Sequence, residues 1–250
     1  MTFARGNRLR QPRRLARPLN SNRLYALPLL LVLLLAAGWY LWPARGTASG
    51  TLSGYRASGA RDELNCLRLV VGVDVSGSMR DFAVPRDDAL GQLFSWVKKK
   101  NLRPDDQVAI IDFAAVAKIR MWPTQVAHLG GLPPPAGARD GVYTYFHPIL
   151  TILDQFPRTS CDTALALISD AQLIDLPSTA PAGRQLLLDH QVGKIRLLVP
   201  GAAIHVDPTW TKGFPSAAPY VFDGTATEAT SLALGHTVVS LTGQSLAPIS

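Results

Sequence analysis

Cysteine is scarce in this chain, with Cys66 and Cys161 the only two in 250 residues. The five histidines (His128, His147, His190, His205 and His236) are scattered and share no ligand spacing. A Cys/His zinc site is therefore not expected. The nucleophile elbow G-x-S-x-G is absent, and no histidine is placed to suggest a catalytic triad. No internal repeat stands out. The first 23 residues contain no acid, although they carry Arg5, Arg8, Arg10, Arg13, Arg14, Arg17 and Arg23. From Leu24 to Trp42 no residue is charged at all.

These last two absences organise the N-terminus. The whole chain has 25 basic and 18 acidic residues, a net charge of +7. Without the seven N-terminal arginines, 18 basic residues face 18 acidic ones. The basicity belongs to the tail, residues 1–23, and nucleic acid is not an expected partner. Residues 24–42, "LYALPLLLVLLLAAGWYLW", are long enough to cross a hydrocarbon core of about 30 Å. Tyr25, Trp39, Tyr40 and Trp42 stand near the ends, where aromatic rings favour the interface. The lopsided arginines predict a cytoplasmic tail, a single-pass anchor in the cytoplasmic (inner) membrane and an exported C-terminal part, periplasmic or extracellular. A cleaved signal peptide is the alternative, with "GTASG" as a weak cleavage site. The run is longer than a signal h-region and closes on bulky aromatics, which favours an uncleaved signal anchor. Residues 43–60, mostly small and polar, read as a flexible linker. Residues 61–250 then form the domain, with 206–250 the least legible part.

Hydrophobic residues make up 47% of the chain, enough for a real core. "CLRLVVGVD" is a nearly continuous apolar run, suited to a strand buried on both faces. "RDDALGQLFSWVKKK" has helical spacing and places its lysines last, where the helix dipole favours them and solvent covers them. "DDQVAIIDF" and "AKIRMW" predict a hairpin. "YFHPILTILDQF" predicts a helix with Thr144 as N-cap and Pro148 in its first turn. "DTALALISD" and "KIRLLV" predict further strands around a helix at "AGRQLLLDHQ". The alternation implies an α/β fold, doubly wound, with a mostly parallel sheet and helices on both faces. Beyond Pro200, "HVDPTWTKGFPSAAPYVFDG" reads as irregular surface, "TEATSLALG" as a helix and "HTVVSL" as a last strand.

Two strands end alike. The first runs "LVVGVD" into Ser76 and Ser78, and the fourth runs "LALIS" into Asp170. Ligands of open α/β sheets sit at carboxyl strand ends where the strand order reverses. If these strands are neighbours, Asp74 and Asp170 face one crevice, to which the loop before "YFHPIL" adds Thr144. Singly, an acid caps a helix and a serine makes a turn. Together, two carboxylates and three hydroxyls are a set of hard oxygen donors, suited to Mg²⁺ with its octahedron and retained waters. Gly77 lets the loop turn tightly between the serines. Asp112 reads as structural. Asp140, near the threonine loop, is a candidate for supporting the donors. Thr151 lies too deep in its helix to compete with Thr144.

"DVSGSM" after an apolar strand, a downstream threonine loop and "LISD", in that chain order, resemble the von Willebrand factor type A (vWA) domain with its metal-ion-dependent adhesion site. The resemblance covers about residues 65–205. D-x-S-x-S is met by Asp74, Ser76 and Ser78, the family's threonine maps onto Thr144 and its second aspartate onto Asp170. Where the family often writes G-G-T this chain has "VYT", and where it often writes T-D-G this chain has "SDA". The resemblance implies a non-enzymatic binding module. Its Mg²⁺ (or Mn²⁺ or Ca²⁺) keeps one position open for an Asp or Glu carboxylate of a partner protein. Two alternatives remain. One is a hydrolase, metal-dependent or with Ser76 or Ser78 as nucleophile, His205 or His147 as base and Asp170 as orienter. The other is a scaffold with a vestigial site.

Cys66 and Cys161 each begin a strand, eight residues before Asp74 and nine before Asp170. On adjacent strands they fall near one level, within disulfide range, in an exported domain that permits the bond. Eight and nine differ in parity, which argues against the pairing, but both residues sit at strand ends.

Overall fold

The computed structural model describes residues 51–61, 65–137 and 143–249, which belong to one compact unit. The basic tail, the apolar segment 24–42 and Asp140 lie outside the described residues. Among the described residues, no helix is long and apolar enough to cross a membrane.

The first long apolar run forms β2 (Leu67–Asp74), with every residue buried. Leu67, Leu69, Val71 and Val73 join the core on one face, and Val70 joins a second core on the other. A strand covered on both faces needs an unbroken apolar run, as this sequence has. β3 (Gln107–Phe113) lies parallel on one side of β2, and β5 (Asp162–Ile168) parallel on the other. β4 (Ala117–Gln125) returns antiparallel along β3 as the predicted hairpin, with a register shift and with Pro123 on this edge strand. β6 (Val192–Val199) and the short β7 (Tyr220–Val221) extend the sheet beyond β5, both parallel. The order is β4-β3-β2-β5-β6-β7, so the winding reverses between β2 and β5.

Helices cover both faces. α1 (Ala83–Trp96) begins three residues earlier than its spacing suggested and ends in a wider turn, Val97–Asn101. It packs with α5 (Thr227–Leu241) on one face. α2 (His147–Leu153) and α4 (Pro208–Gly213) contribute Phe146, Ile149, Leu150, Trp210 and Phe214 to the core on the other. α3 (Ala180–Asp189) lies against β6 and α4, with Gly183 at the α4 contact, where a Cβ would strike the Gly213 carbonyl.

Three expectations are corrected. "HTVVSL" is the second half of α5, not a strand. This helix is buried almost all round, so it shows no amphipathic period. Its hydroxyls are satisfied within the helix, as in Thr230 Oγ1 to the Ala226 carbonyl and Thr237 Oγ1 to that of Ala233, both 2.9 Å. Packing outweighs the strand preference of Val238 and Val239. The 205–224 stretch is not only irregular surface. It holds α4 and β7, and Trp210 is fully buried with Nε1 donating to the Ala217 carbonyl at 2.7 Å. The linker also ends sooner than residue 60. Leu52 is fully buried, and β1 (Tyr55–Ser58) pairs antiparallel with β8 (Ser245–Pro248). Trp96 Nε1 donates to the Tyr55 carbonyl, and the Ala57 N–H to Asn101 Oδ1, each 2.8 Å. The domain therefore begins by Leu52.

After β1 the chain reaches the amino-terminal end of the sheet. There Asp106, fully buried, accepts from Arg61 Nη1 and Nη2 (2.7 and 2.9 Å) and from the Leu67 and Arg103 N–H groups. At the same end Cys66 and Cys161 are disulfide-bonded, with Cα atoms 4.5 Å apart. The β2–β5 register removes the parity objection. Leu67 lies opposite Asp162 and Val73 opposite Ile168, so Cys66 is level with Cys161. The same step places Ser169, not Asp170, level with Asp74. Asp170 lies two residues past the end of β5 and one beyond the position level with Asp74.

Residues 95 apart are joined here, so the bond removes a large share of unfolded-chain entropy. Reduction is expected to cost about 2–4 kcal/mol of stability, measured by urea unfolding of oxidised and reduced protein. Superimposable curves would show that the staple adds nothing to the ladder.

Candidate functional site

β2 delivers Asp74 to the carboxyl edge of the sheet at the point of winding reversal. The residue is fully buried. Its backbone carbonyl accepts from Arg86 Nη1 of α1 at 2.7 Å. One carboxylate oxygen, Oδ1, accepts the Ser76 N–H at 2.9 Å, the local turn that Asp-x-Ser favours. The other, Oδ2, accepts Ser169 Oγ–H at 2.7 Å. Ser169 Oγ in turn accepts the Ala171 N–H at 3.0 Å. Ser76 Oγ and Ser78 Oγ are 3.0 Å apart; Ser76 is buried and Ser78 exposed.

Thr144 and Asp170 arrive from separate loops. Thr144 pairs with Leu173 as an isolated parallel bridge, and its carbonyl accepts the Ile174 N–H at 3.1 Å. Thr144 is not the N-cap of α2. The Phe146 and His147 N–H groups donate instead to the Asp175 carboxylate at 2.5 and 2.8 Å. Asp170 Oδ1 accepts the Gln172 N–H at 3.0 Å. Between them, Ala171 takes a left-handed φ of 61°.

Ser76, Ser78, Thr144 and Asp170 line one cleft of about 660 Å³, and buried Asp74 is tied to it by its bond to the Ser76 N–H and feels the charge of Asp170. The structure thus gathers all five sequence candidates in one place. It also adds two residues that the sequence reading missed. Ser169 was passed over as the residue before Asp170, although counting eight from Cys161 reaches it. Asp175 was legible as an acid ahead of no helix of its own, and only the fold aims it at α2. Asp112, read as structural, is fully buried and accepts the Ala136 N–H at 2.6 Å. Burial raises its pKa.

Burial also raises the Asp74 pKa. The Ser76 and Ser169 hydrogen bonds oppose that shift, and the negative charge of Asp170 adds to it. Two acids held near each other under three hydroxyls are a place where a cation relieves a cost already present. Among the described residues, no three His, Cys, Asp or Glu side chains gather as a metal cluster. The donors at this cleft are carboxylate and hydroxyl oxygens, fit for a hard cation that keeps water ligands. Asp74, Ser76, Ser78, Thr144 and Asp170 are the residues that would hold it. For the hydrolase alternative, the two serine hydroxyls contact each other, and His147 Nδ1 lies 3.1 Å from Asp175.

No protein-family description matches this sequence, and no curated protein is similar to it. Solved structures are similar. One is the pilus adhesin SpaC of Lactobacillus rhamnosus GG in its open conformation, at TM-score 0.51 and 12% identity, over 75% of this chain and 34% of that one. Another is a von Willebrand factor type A protein from Catenulispora acidiphila, at TM-score 0.48 and 12% identity, over 72% and 43%. A third is proximal thread matrix protein 1 from the mussel byssus, with a zinc-occupied MIDAS motif, at TM-score 0.45 and 16% identity, over 74% and 47%. This chain spans less than half the length of each. At such identities the likeness concerns the fold.

Because the folded-state pKa of Asp74 lies above its unfolded value, the native state holds this proton more tightly. Without metal, the contribution is fully present below the ordinary aspartate pKa of about 3.9 and is lost as pH rises through the raised value. Asp74→Asn, which cannot ionise, is expected to melt higher than wild type at pH 7 in chelator, with the gap closing toward acid. Thermal melts across pH check this. A variant that melts lower at every pH would show that the hydrogen bonds outweigh the buried charge.

Proposed function

We propose that this protein is a membrane-anchored, vWA-type binding protein. It holds a divalent cation of the Mg²⁺ kind on Asp74, Ser76, Ser78, Thr144 and Asp170. The cation then binds an Asp or Glu carboxylate of a partner protein. One observation carries the reading: a D-x-S-x-S turn, a threonine and a second aspartate, far apart in sequence, converge on one cleft at the winding reversal of the sheet. When bound, the cation supplies a positive centre with an exchangeable position. The chain's own residues do the rest. Asp74 and Asp170 supply the negative charge, the three hydroxyls supply neutral oxygens, and Ser169 and Arg86 fix where Asp74 points.

The reading is of a binding protein rather than an enzyme. It is supported by the Ser76 and Ser78 hydroxyls contacting each other rather than a histidine. The anchor at residues 24–42 places the protein in the cytoplasmic (inner) membrane, with its N-terminus in the cytoplasm and its domain in the periplasm or outside the cell. The Cys66–Cys161 disulfide is in keeping with an oxidising compartment.

A cation selective for the native state must raise its stability, by about 2.7 kcal/mol at a hundredfold excess over Kd. For a domain of this size that is a shift of roughly 5–10 °C. The full chain in detergent is expected to melt higher in Mg²⁺ or Mn²⁺ than in chelator. Asp74→Ala and the double variant Ser76→Ala/Thr144→Ala are expected to lose the shift. If no cation moves the wild-type transition, the cation reading fails and the scaffold reading replaces it.

A further inference from the structure

The cleft is larger than one cation and one carboxylate require, and its walls differ. One wall carries Tyr143 and Ile174, 58% and 56% exposed, two of the few large apolar side chains left in solvent. The lining also includes Asp207 and Thr209. Scattered exposed apolar residues are ordinary. These two are not scattered: the parallel Thr144–Leu173 bridge sets Tyr143 level with Gln172 and puts Ile174 two positions further along on the same face, and both line the cleft. Thr144 is bridged to Leu173, the Ile174 N–H bonds the Thr144 carbonyl, and Asp175 clamps the Phe146 and His147 amides. Ile174 therefore stands on stitched main chain, and Tyr143 directly precedes the threonine of the site.

We propose that the cleft recognises an acidic residue together with a large apolar neighbour, the acid at the cation and the apolar side chain on Tyr143 and Ile174. This rests on the cation reading given above. Continuity ties the two parts. Tyr143 directly precedes Thr144, so a partner residue adjacent to the bound acid reaches the apolar wall without spanning solvent. The Ile174 N–H is bonded to the Thr144 carbonyl, so ordering of that backbone is not a cost of binding. Charge sets the other preference. The lining has Asp170 and Asp207 and no basic side chain among the described residues. Asp207 accepts the Thr209 N–H at 2.7 Å, and that bond keeps its carboxyl below the usual range and ionised. A second acid in the partner meets Asp207, whose charge the nearby Lys212 only partly offsets, and is disfavoured. The preferred segment has one acid and a large aliphatic or aromatic neighbour, not an acidic run.

The test is a selection of phage-displayed random short peptides on the full chain in nanodiscs, in Mg²⁺ or Mn²⁺, with elution by chelator. A parallel selection uses Tyr143→Ser/Ile174→Ser, both exposed positions, whose cation-induced melting shift is checked to equal that of wild type. The expected wild-type peptides carry a single Asp or Glu with a large apolar residue within one or two positions. The double variant is expected to keep the acid and lose the apolar preference. It should bind the best wild-type peptide about tenfold more weakly, the loss of one good apolar contact. Acids with random neighbours, acidic runs, or the same peptides from both proteins would overturn the proposal and leave the cation reading intact. If chelator releases no enriched acid-bearing peptide, the cation reading itself falls, and this inference with it.

Discussion

The parallel ladder between β2 and β5 carries a disulfide at one end and a carboxylate–hydroxyl bond at the other. Cys66 is level with Cys161, and Asp74 with Ser169, because both pairs obey one register. A slip of one residue would turn every side chain of β5 to the opposite face and separate both pairs at once. β2 is buried on both faces, so its last residue emerges where water is scarce. A carboxylate there needs donors, and Ser76 and Ser169 provide them. The winding reverses between these same two strands, so the loops beyond them diverge and leave a crevice over Asp74.

Behind that crevice, a buried polar group braces the backbone. Arg86 donates to the Asp74 carbonyl and lies 3.6 Å from Asp87. Arg120 donates to Asp87 at 2.8 Å and to the Pro133 carbonyl at 2.9 Å. Asp112 receives the Ala136 N–H. Buried ion pairs of this kind are weak sources of net stability. Here they tie α1, β4 and the proline-rich loop 132–137 to the carboxyl ends of β2 and β3. The position of the site is therefore set from below by the ladder and from behind by these bonds.

Legibility in the sequence followed the environment of each element. β2, β3, β5 and β6 were visible because strands covered on both faces must be apolar runs. α1 was visible because one side of it faces the core and its apolar residues recur at helical spacing. α5 was half misread because a helix buried all round has no such period, and "HTVV" has the composition of a strand. β1 was hidden for another reason. Its residues are small or polar, and its partner β8 lies at the far end of the chain, with Tyr55 opposite Pro248. No local signal reports such a pairing.

The site divides along the same line. The turn from Asp74 to Ser76 closes over two residues, so the sequence by itself determined it: an acid accepts the N–H two positions on, whatever surrounds it. The apolar strand ahead of it, the donor chemistry of the set and the alternation that makes the sheet mostly parallel were likewise local properties. The tertiary structure decided which strand lies beside β2, and hence that Ser169, 95 residues away, reaches the second carboxylate oxygen. It also decided that Thr144 is bridged to Leu173, and that Thr144, Asp170, Tyr143 and Ile174 line one cleft. Strand order is chosen by the packing of whole faces against one another, a sum over many weak contacts that no single stretch of sequence contains.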